Sequence, residues 1–232
     1  MKKIGIIGAM ELEIEELKNS MIITKTETYA KMTFYEGTMG DVPVVLVRSG
    51  IGKVNAAICA QILADIYKVT HLINTGVAGS LNSKLDIGDI LVSTEVTYHD
   101  VDVTIFGYAP GEVPQLGVKT FPADEKMSEL AVTICNEVNP DIKCFKGLVV
   151  SGDQFISGKE KKEAILSLFN ADCAEMEGAS IGHTSFLNNI PFVIIRAISD
   201  KADDSASVDY PTFEKAAAAH SAKLTLKLVS SL

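Results

Sequence analysis

Four carboxylates in this chain stand just beyond apolar runs, where a carboxyl group can be drawn into proton transfer. Glu13 follows the run Ile4–Ile7 by one turn, Glu175 and Glu177 follow Ala171–Ala174, and Asp200 closes the run Phe192–Ile198. Asp200 is poorly placed to be a mere solubilising group, because a buried strand delivers it. It could act on a substrate, or it could cap the segment that follows through a backbone N–H. Glu11, Glu15 and Glu16 read as solvated surface charges. Gly5-x-x-Gly8 and Gly50-x-Gly52-x-x-Asn55 each supply half of a dinucleotide fingerprint and complete none, and no GxxxxGK[ST] occurs. Such glycines serve a tight turn as readily as a ligand contact. His99-Asp100 is half of a metal pair, but His71, His183 and His220 offer no spacing that completes one, so no metal is expected.

The elements that must position these groups follow from hydrophobic periodicity. Lys3–Ile7 reads as a strand leading into a helix over Glu11–Lys18. Residues 32–39 and 42–48 form a hairpin around Gly40-Asp41, and residues 53–67 a helix. His71–Asn74 is a strand that Gly76 and Gly79 break. Ile87–Val96, Cys144–Val150 and Phe192–Ile198 are further strands. Helices are predicted over Glu125–Glu137, 160–169, 178–188 and 210–230. This alternation predicts α/β architecture, a central mixed sheet with helices on both faces, as one unit spanning 1–232. Ligands of such folds sit beyond the carboxyl ends of the strands. Those ends are where the glycines and carboxylates gather. The segment 100–122, rich in Gly, Pro and aromatics, is a candidate lid or partner-facing loop.

Composition narrows the function classes. The 232 residues are 47% hydrophobic, enough for a substantial core. A net charge of −9 argues against a nucleic-acid binder. No stretch approaches the ~18 apolar residues of a membrane span, and the N-terminal apolar run ends at Glu11, too early for a signal peptide. Cys59, Cys135, Cys144 and Cys173 lie in apolar segments without CxxC pairing, which reads as buried reduced thiols and a cytoplasmic location. Arg48 and Arg196 are the only arginines.

Several motifs recur in a recognisable order. They are Gly5-Ile6-Ile7-Gly8-Ala9-Met10-Glu11, Ser49-Gly50-Ile51-Gly52-Lys53-Val54-Asn55-Ala56-Ala57 and Asn74-Thr75-Gly76-Val77-Ala78-Gly79. Val149-Val150-Ser151-Gly152-Asp153-Gln154-Phe155, Glu175-Met176-Glu177-Gly178-Ala179 and Arg196-Ala197-Ile198-Ser199-Asp200 follow. Together they resemble the methylthioadenosine/S-adenosylhomocysteine nucleosidases of the nucleoside phosphorylase superfamily, from Met1 to about residue 225. A phosphorylase needs arginines to bind its phosphate nucleophile. Phosphorylase relatives carry one just before the turn that here follows Asn74-Thr75. Two arginines make an arginine-lined phosphate site hard to assemble, and Glu13 would repel phosphate while suiting the activation of water.

The resemblance implies a nucleoside phosphorylase-like three-layer α/β/α fold, no cofactor, and cleavage of the N-glycosidic bond of 5′-methylthioadenosine and S-adenosylhomocysteine, with 5′-deoxyadenosine as a further substrate. It implies Asp200 as the acid that protonates adenine N7 and Glu13 as the group that orients and deprotonates water. Glu177 grips the ribose hydroxyls, with Glu175 beside it. Arg196 and Ser199 tether the water and the acid. Phe155 stacks on adenine, and backbone groups of Ile156 read its edge. Met10, Ile51, Met176 and Tyr210 line the pocket. Val77 occupies a position where many relatives have a serine that helps hold the water. Val103, Phe106 and Pro114 belong to a loop that, in the family, crosses a homodimer interface and closes the neighbour's 5′ pocket. A futalosine-type hydrolase, a nucleoside phosphorylase and a non-catalytic nucleoside binder are the alternatives.

Overall fold

β1 (Ile4–Gly8) is buried at every position, as a strand must be when helices cover both faces. Ile4 and Ile6 enter one core cluster and Ile7 the other, following the two-residue period of a strand. The computed structural model describes residues 2–232. β1 lies between β4 (Val42–Arg48) and β5 (His71–Ser80), parallel to both. Beyond β4 come β3 (Met32–Met39) and β2 (Ile22–Tyr29), antiparallel.

β5 does something less expected. It pairs in parallel with β10 (Phe192–Asp200) on the side away from β1. Near its end and beyond β1, it pairs antiparallel with β9 (Cys173–Glu175) on the β1 side. From β9 the pairing passes to β8 (Cys144–Ser151) and then to β6 (Ile90–Tyr98), which returns to β10. The five strands β5, β9, β8, β6 and β10 therefore close into a ring, with β1, β4, β3 and β2 as an open wing. β7 (Phe121–Pro122) adds a short antiparallel pairing to β6.

Helices cover both faces. α2 (Lys53–Asp65) and α5 (Gly178–Asn188) contribute Ala56, Cys59, Leu63, Ala179 and Ile181 to one cluster. α1 (Glu11–Asn19), α3 (Glu125–Val138) and α6 (Ala206–Ser231) contribute Ile14, Leu17, Met127, Ile134 and Leu224 to the other. α4 (Lys159–Phe169) packs a smaller cluster through Ile165 and Phe169. The expected three-layer α/β architecture is present.

Two strand expectations need correction. β2 was not foreseen, because five consecutive residues from Ile22 to Thr26 are exposed and carry no apolar alternation. It is an edge strand, with Lys25 and Glu27 as the charges that discourage further pairing. β5 is not broken at its glycines: it runs from His71 to Ser80. Gly76 and Gly79 leave room for side chains to press on the backbone. A Cβ at Gly76 would collide with Arg196 Nη1 and Glu13 Oε1, and one at Gly79 with Asp200 Oδ1.

β2 and β3 are joined by Ala30 and Lys31, both at positive φ (48° and 62°). Two-residue hairpin turns of this kind favour Asn-Gly. An ordinary L-residue in that conformation costs about 1–2 kcal/mol.

Candidate active site

The most demanding group in the molecule is the guanidinium of Arg196, which is 0% exposed at the middle of β10. A charge so placed must be paired and hydrogen-bonded. Its Nη2 donates to the carboxylate of Glu175 and to Asn74 Oδ1 from β5, and lies 3.7 Å from Glu177 Oε2. The partners are themselves fixed. Asn74 Nδ2 donates to the Ile7 carbonyl at 2.9 Å. Glu175 accepts from Ser151 Oγ and from the backbone N–H groups of Glu177 (3.1 Å) and Gly178 (2.8 Å), at the N-terminus of α5. Ser151 Oγ in turn accepts from Ala179 N at 2.7 Å. Among the described residues, Arg196 Nε and Nη1 have no hydrogen-bond partner.

Glu13 reaches this centre from α1. It sits at the third helical position, and its Oε2 accepts from Ala9 N (2.6 Å) and Met10 N (3.0 Å), half of a capping box. Oε1 accepts from Val77 N at 3.1 Å and shares with Arg196 Nη1 the space over Gly76. Burial raises the pKa of Glu13, and the nearby Arg196 charge and three backbone N–H donors restrain the rise. The valine at position 77 therefore still contacts the carboxylate, through its backbone.

Glu177 precedes the first residue of α5. Gly52 N donates to its Oε1 at 2.9 Å. Burial and the adjacent Glu175 push its pKa up to about 8, against the opposing pull of Arg196. The Gly52 turn is held by a staple: Lys53 Nζ to Asp100 at 2.6 Å, Lys53 N to Asp153 at 2.8 Å, and Asp153 N to Asp100 at 3.0 Å.

Asp200 is the last residue of β10. Its Oδ1 accepts from Ala202 N at 2.8 Å and its Oδ2 from Ser199 Oγ at 2.9 Å. The first contact is a local turn, whereas α6 begins only at Ala206, so Asp200 is not that helix's cap. Burial raises its pKa above the ordinary aspartate value, favouring the protonated acid.

These groups surround a cavity of about 370 Å³. Glu13 and Asp200 both line it, together with Met10, Ile51, Val77 and Phe155, and with Glu175, Met176, Glu177, Ser199 and Tyr210. Tyr210 meets Phe155 edge to face at 5.6 Å, and its hydroxyl contacts Met10 Sδ at 3.3 Å. No lysine or arginine lines this cavity. Arg196 stands behind the lining, not in it.

Four predicted residues lie elsewhere. The Ile156 side chain is buried with Leu81, Val150 and Ala174 in the cluster beside α4. Val103, Phe106 and Pro114 do not line this chain's cavity; Phe106 is 78% exposed and its neighbour Ile105 87%. Sequence reasoning missed Ala9, Ala78, Gly79 and Ala174, small lining residues whose types carry no chemical signal. It also missed Asn74 and Ser151 as supports of Arg196 and Glu175, although both stand in quoted motifs.

A closed strand ring with carboxylates over an apolar cavity at its carboxyl end defines a class. Residues 3–230 match the family model described as the phosphorylase superfamily. The 5′-methylthioadenosine/S-adenosylhomocysteine nucleosidase of Halalkalibacterium halodurans is 43% identical over 100% of both chains. The nucleosidase of that name from Neisseria meningitidis, solved with methylthio-immucillin-A, superposes with a TM-score of 0.96 at 41% identity, covering 100% of each chain. Futalosine hydrolase of Helicobacter pylori superposes at 0.94 with 32% identity, over 100% of this chain and 98% of that one. The chain belongs to the phosphorylase superfamily, in its methylthioadenosine/S-adenosylhomocysteine nucleosidase branch.

The raised carboxyl pKa values have a thermodynamic consequence. Between the ordinary and the raised value of each group, the folded protein binds more proton at Glu13, Glu177 and Asp200 than the unfolded chain does. Stability from those protons is full below the ordinary carboxylate range and is lost as pH rises through the folded values. For Glu177 the window runs from 4.5 to about 8. Glu177→Gln should therefore gain Tm relative to the unsubstituted protein as pH climbs through that window. Thermal melts of the two proteins that stay parallel across it would show that Glu177 holds no such proton.

Proposed function

We propose that this chain hydrolyses the N-glycosidic bond of 5′-methylthioadenosine and S-adenosylhomocysteine, and of 5′-deoxyadenosine, releasing adenine and the 5-thioribose or deoxyribose product. The observation that carries this reading is the composition of the cavity wall: four carboxylates and no cation. A site of that kind receives a neutral nucleoside and water. It repels phosphate, which a phosphorylase must hold with cationic donors.

The two reacting ends are given different carboxylates. Asp200, whose pKa burial raises, delivers a proton to adenine N7, so that the purine leaves as a neutral base. Ser199 and the Ala202 N–H hold the carboxyl group in place. Glu13 Oε1 accepts the proton of the attacking water, with Arg196 Nη1 adjacent to stabilise the charged form. Glu177 receives the ribose hydroxyls, an interaction that strengthens as positive charge develops on the sugar. Phe155 and Tyr210 supply the aromatic wall for the base, Ile156 presents its backbone to the adenine edge, and Met10, Ile51 and Met176 receive the 5′ substituent.

A homodimer completes this reading. Ile105 and Phe106 on the 100–114 loop, with Ile51 just before α2 and Val54 and Ile58 on it, expose more apolar surface than an isolated chain favours. Val103, Phe106 and Pro114 are assigned to the neighbouring chain's 5′ pocket. The enzyme works in the cytoplasm, where it clears methyl-transfer products and feeds methionine salvage. No helix among the described residues is long and apolar enough to cross a membrane.

Product analysis in phosphate buffer is expected to show free 5-methylthioribose; the 1-phosphate sugar would overturn the hydrolase assignment. Asp200→Asn keeps an acceptor for the Ala202 N–H but has no acidic proton. Its kcat should fall by ~10²–10⁴ with Tm little changed, and near-normal turnover would remove Asp200 from the acid role. Phe106→Ala should raise KM for alkylthio nucleosides while the fold persists. Light scattering that reports a fully active monomer would defeat the shared pocket.

A further inference from the structure

A second concavity of about 510 Å³ opens beside the cavity and shares Ala9, Met10 and Ile51 with it. Its character is the reverse. The cavity wall has no cation, whereas this groove carries Arg48 and Lys31, with Glu11 among them. Arg48 ends β4 opposite Gly8 of β1, and Glu11 is the first residue of α1. Their side chains are 56% and 54% exposed, and Nη1 stands 3.6 Å from Oε2. Charge-assisted hydrogen bonds close to about 2.7–2.9 Å, so this loose pair leaves both groups free to take other partners. Lys31 comes from the β2–β3 turn, whose two residues hold positive φ although neither is glycine or asparagine. Backbone strain of this sort is found where a site needs a side chain in a set position. Lys31 makes no hydrogen bond or ion pair among the described residues.

We propose that this groove is a subsite for the zwitterionic α-amino-acid end of a nucleoside's 5′-thioether arm, with Arg48 and Lys31 taking the carboxylate and Glu11 the ammonium. It rests on the hydrolase reading above and extends it. The two principal substrates differ only beyond sulfur, where one ends in a methyl group and the other continues to an amino acid. The apolar threshold at Met10 and Ile51 suits the thioether of either. Beyond it, only the longer arm reaches opposite charges that match its own. A neutral arm gains nothing there, so Arg48 sets the preference between substrates while the shared ribose and adenine are held elsewhere.

The test is the ratio of kcat/KM for S-adenosylhomocysteine to that for methylthioadenosine. Arg48→Ala is expected to lower this ratio about tenfold, the size of one charge-assisted contact at a solvated site. Arg48→Lys, which keeps the charge, should recover most of it. Added salt should lower the unsubstituted enzyme's ratio, because the groove is open to screening. A neutral S-butyl nucleoside of similar reach should follow methylthioadenosine in every variant. An unchanged ratio in Arg48→Ala, or loss of both substrates in step, overturns the subsite. If the unsubstituted protein releases adenine from neither substrate, the hydrolase reading has failed separately. Calorimetric titration of both proteins with S-adenosylhomocysteine then decides the subsite: weaker binding to Arg48→Ala supports it and equal affinity overturns it.

Discussion

The buried guanidinium of Arg196 is the constraint on which the rest of the site depends. Removing such a charge from water is costly, and only close, well-oriented carboxylates offset it. Glu175 supplies the strongest contact, and its own oxygens are saturated by Ser151 and the first N–H groups of α5. The cation therefore ties four elements together, β5 through Asn74, β8 through Ser151, β9 through Glu175 and α5 through Glu177. Deleting either member of the Arg196–Glu175 pair would leave the other a buried charge without its closest counter-ion, which is far worse than losing the contact alone.

The same cation explains how carboxylates of one type come to differ. Glu175 is consumed in structure. Glu177 and Glu13 are less tightly engaged, and each keeps an oxygen near the cavity. At Asp200 burial raises the pKa against the hydrogen bonds from the Ala202 N–H and Ser199 Oγ, with no arginine among the opposing groups. What differs is the company each keeps: Glu13 has the Arg196 charge beside it, and Asp200 has only neutral donors.

Much of this was legible in the sequence, and the failures have physical causes. Glu13, Glu177 and Asp200 were marked by their position after apolar runs, and the continuous apolar runs themselves located β1 and β10. β2 escaped because an edge strand exposed to water on most residues needs no apolar alternation. Gly76 and Gly79 were read as breakers of β5, since sequence shows the missing Cβ but not the side chains that occupy its space. Asn74 and Ser151 were visible as letters, yet their roles depend on which strands are neighbours. That is set by the closing of the ring, a non-local event. Val103, Phe106 and Pro114 lie on a loop whose own chain gives them no pocket to line.

The closed ring has a kinetic meaning. Along β5, β10 pairs residues 72–79 on one side, while on the other β1 pairs residues 71–74, β9 pairs Gly79 and Ser80, and the Val77 N–H between them is taken by Glu13. The strand is paired by strands on both sides only towards its ends, and its middle relies on β10 and on the Glu13 carboxylate. Asn74, Gly76 and Val77, which frame the Arg196 and Glu13 end of the cavity, are all on that strand. Asp200 is at a strand terminus, leading into a turn. The water-activating end is thus held by a side chain where a strand partner is missing, and exchange at the Val77 amide reports on the seating of Glu13.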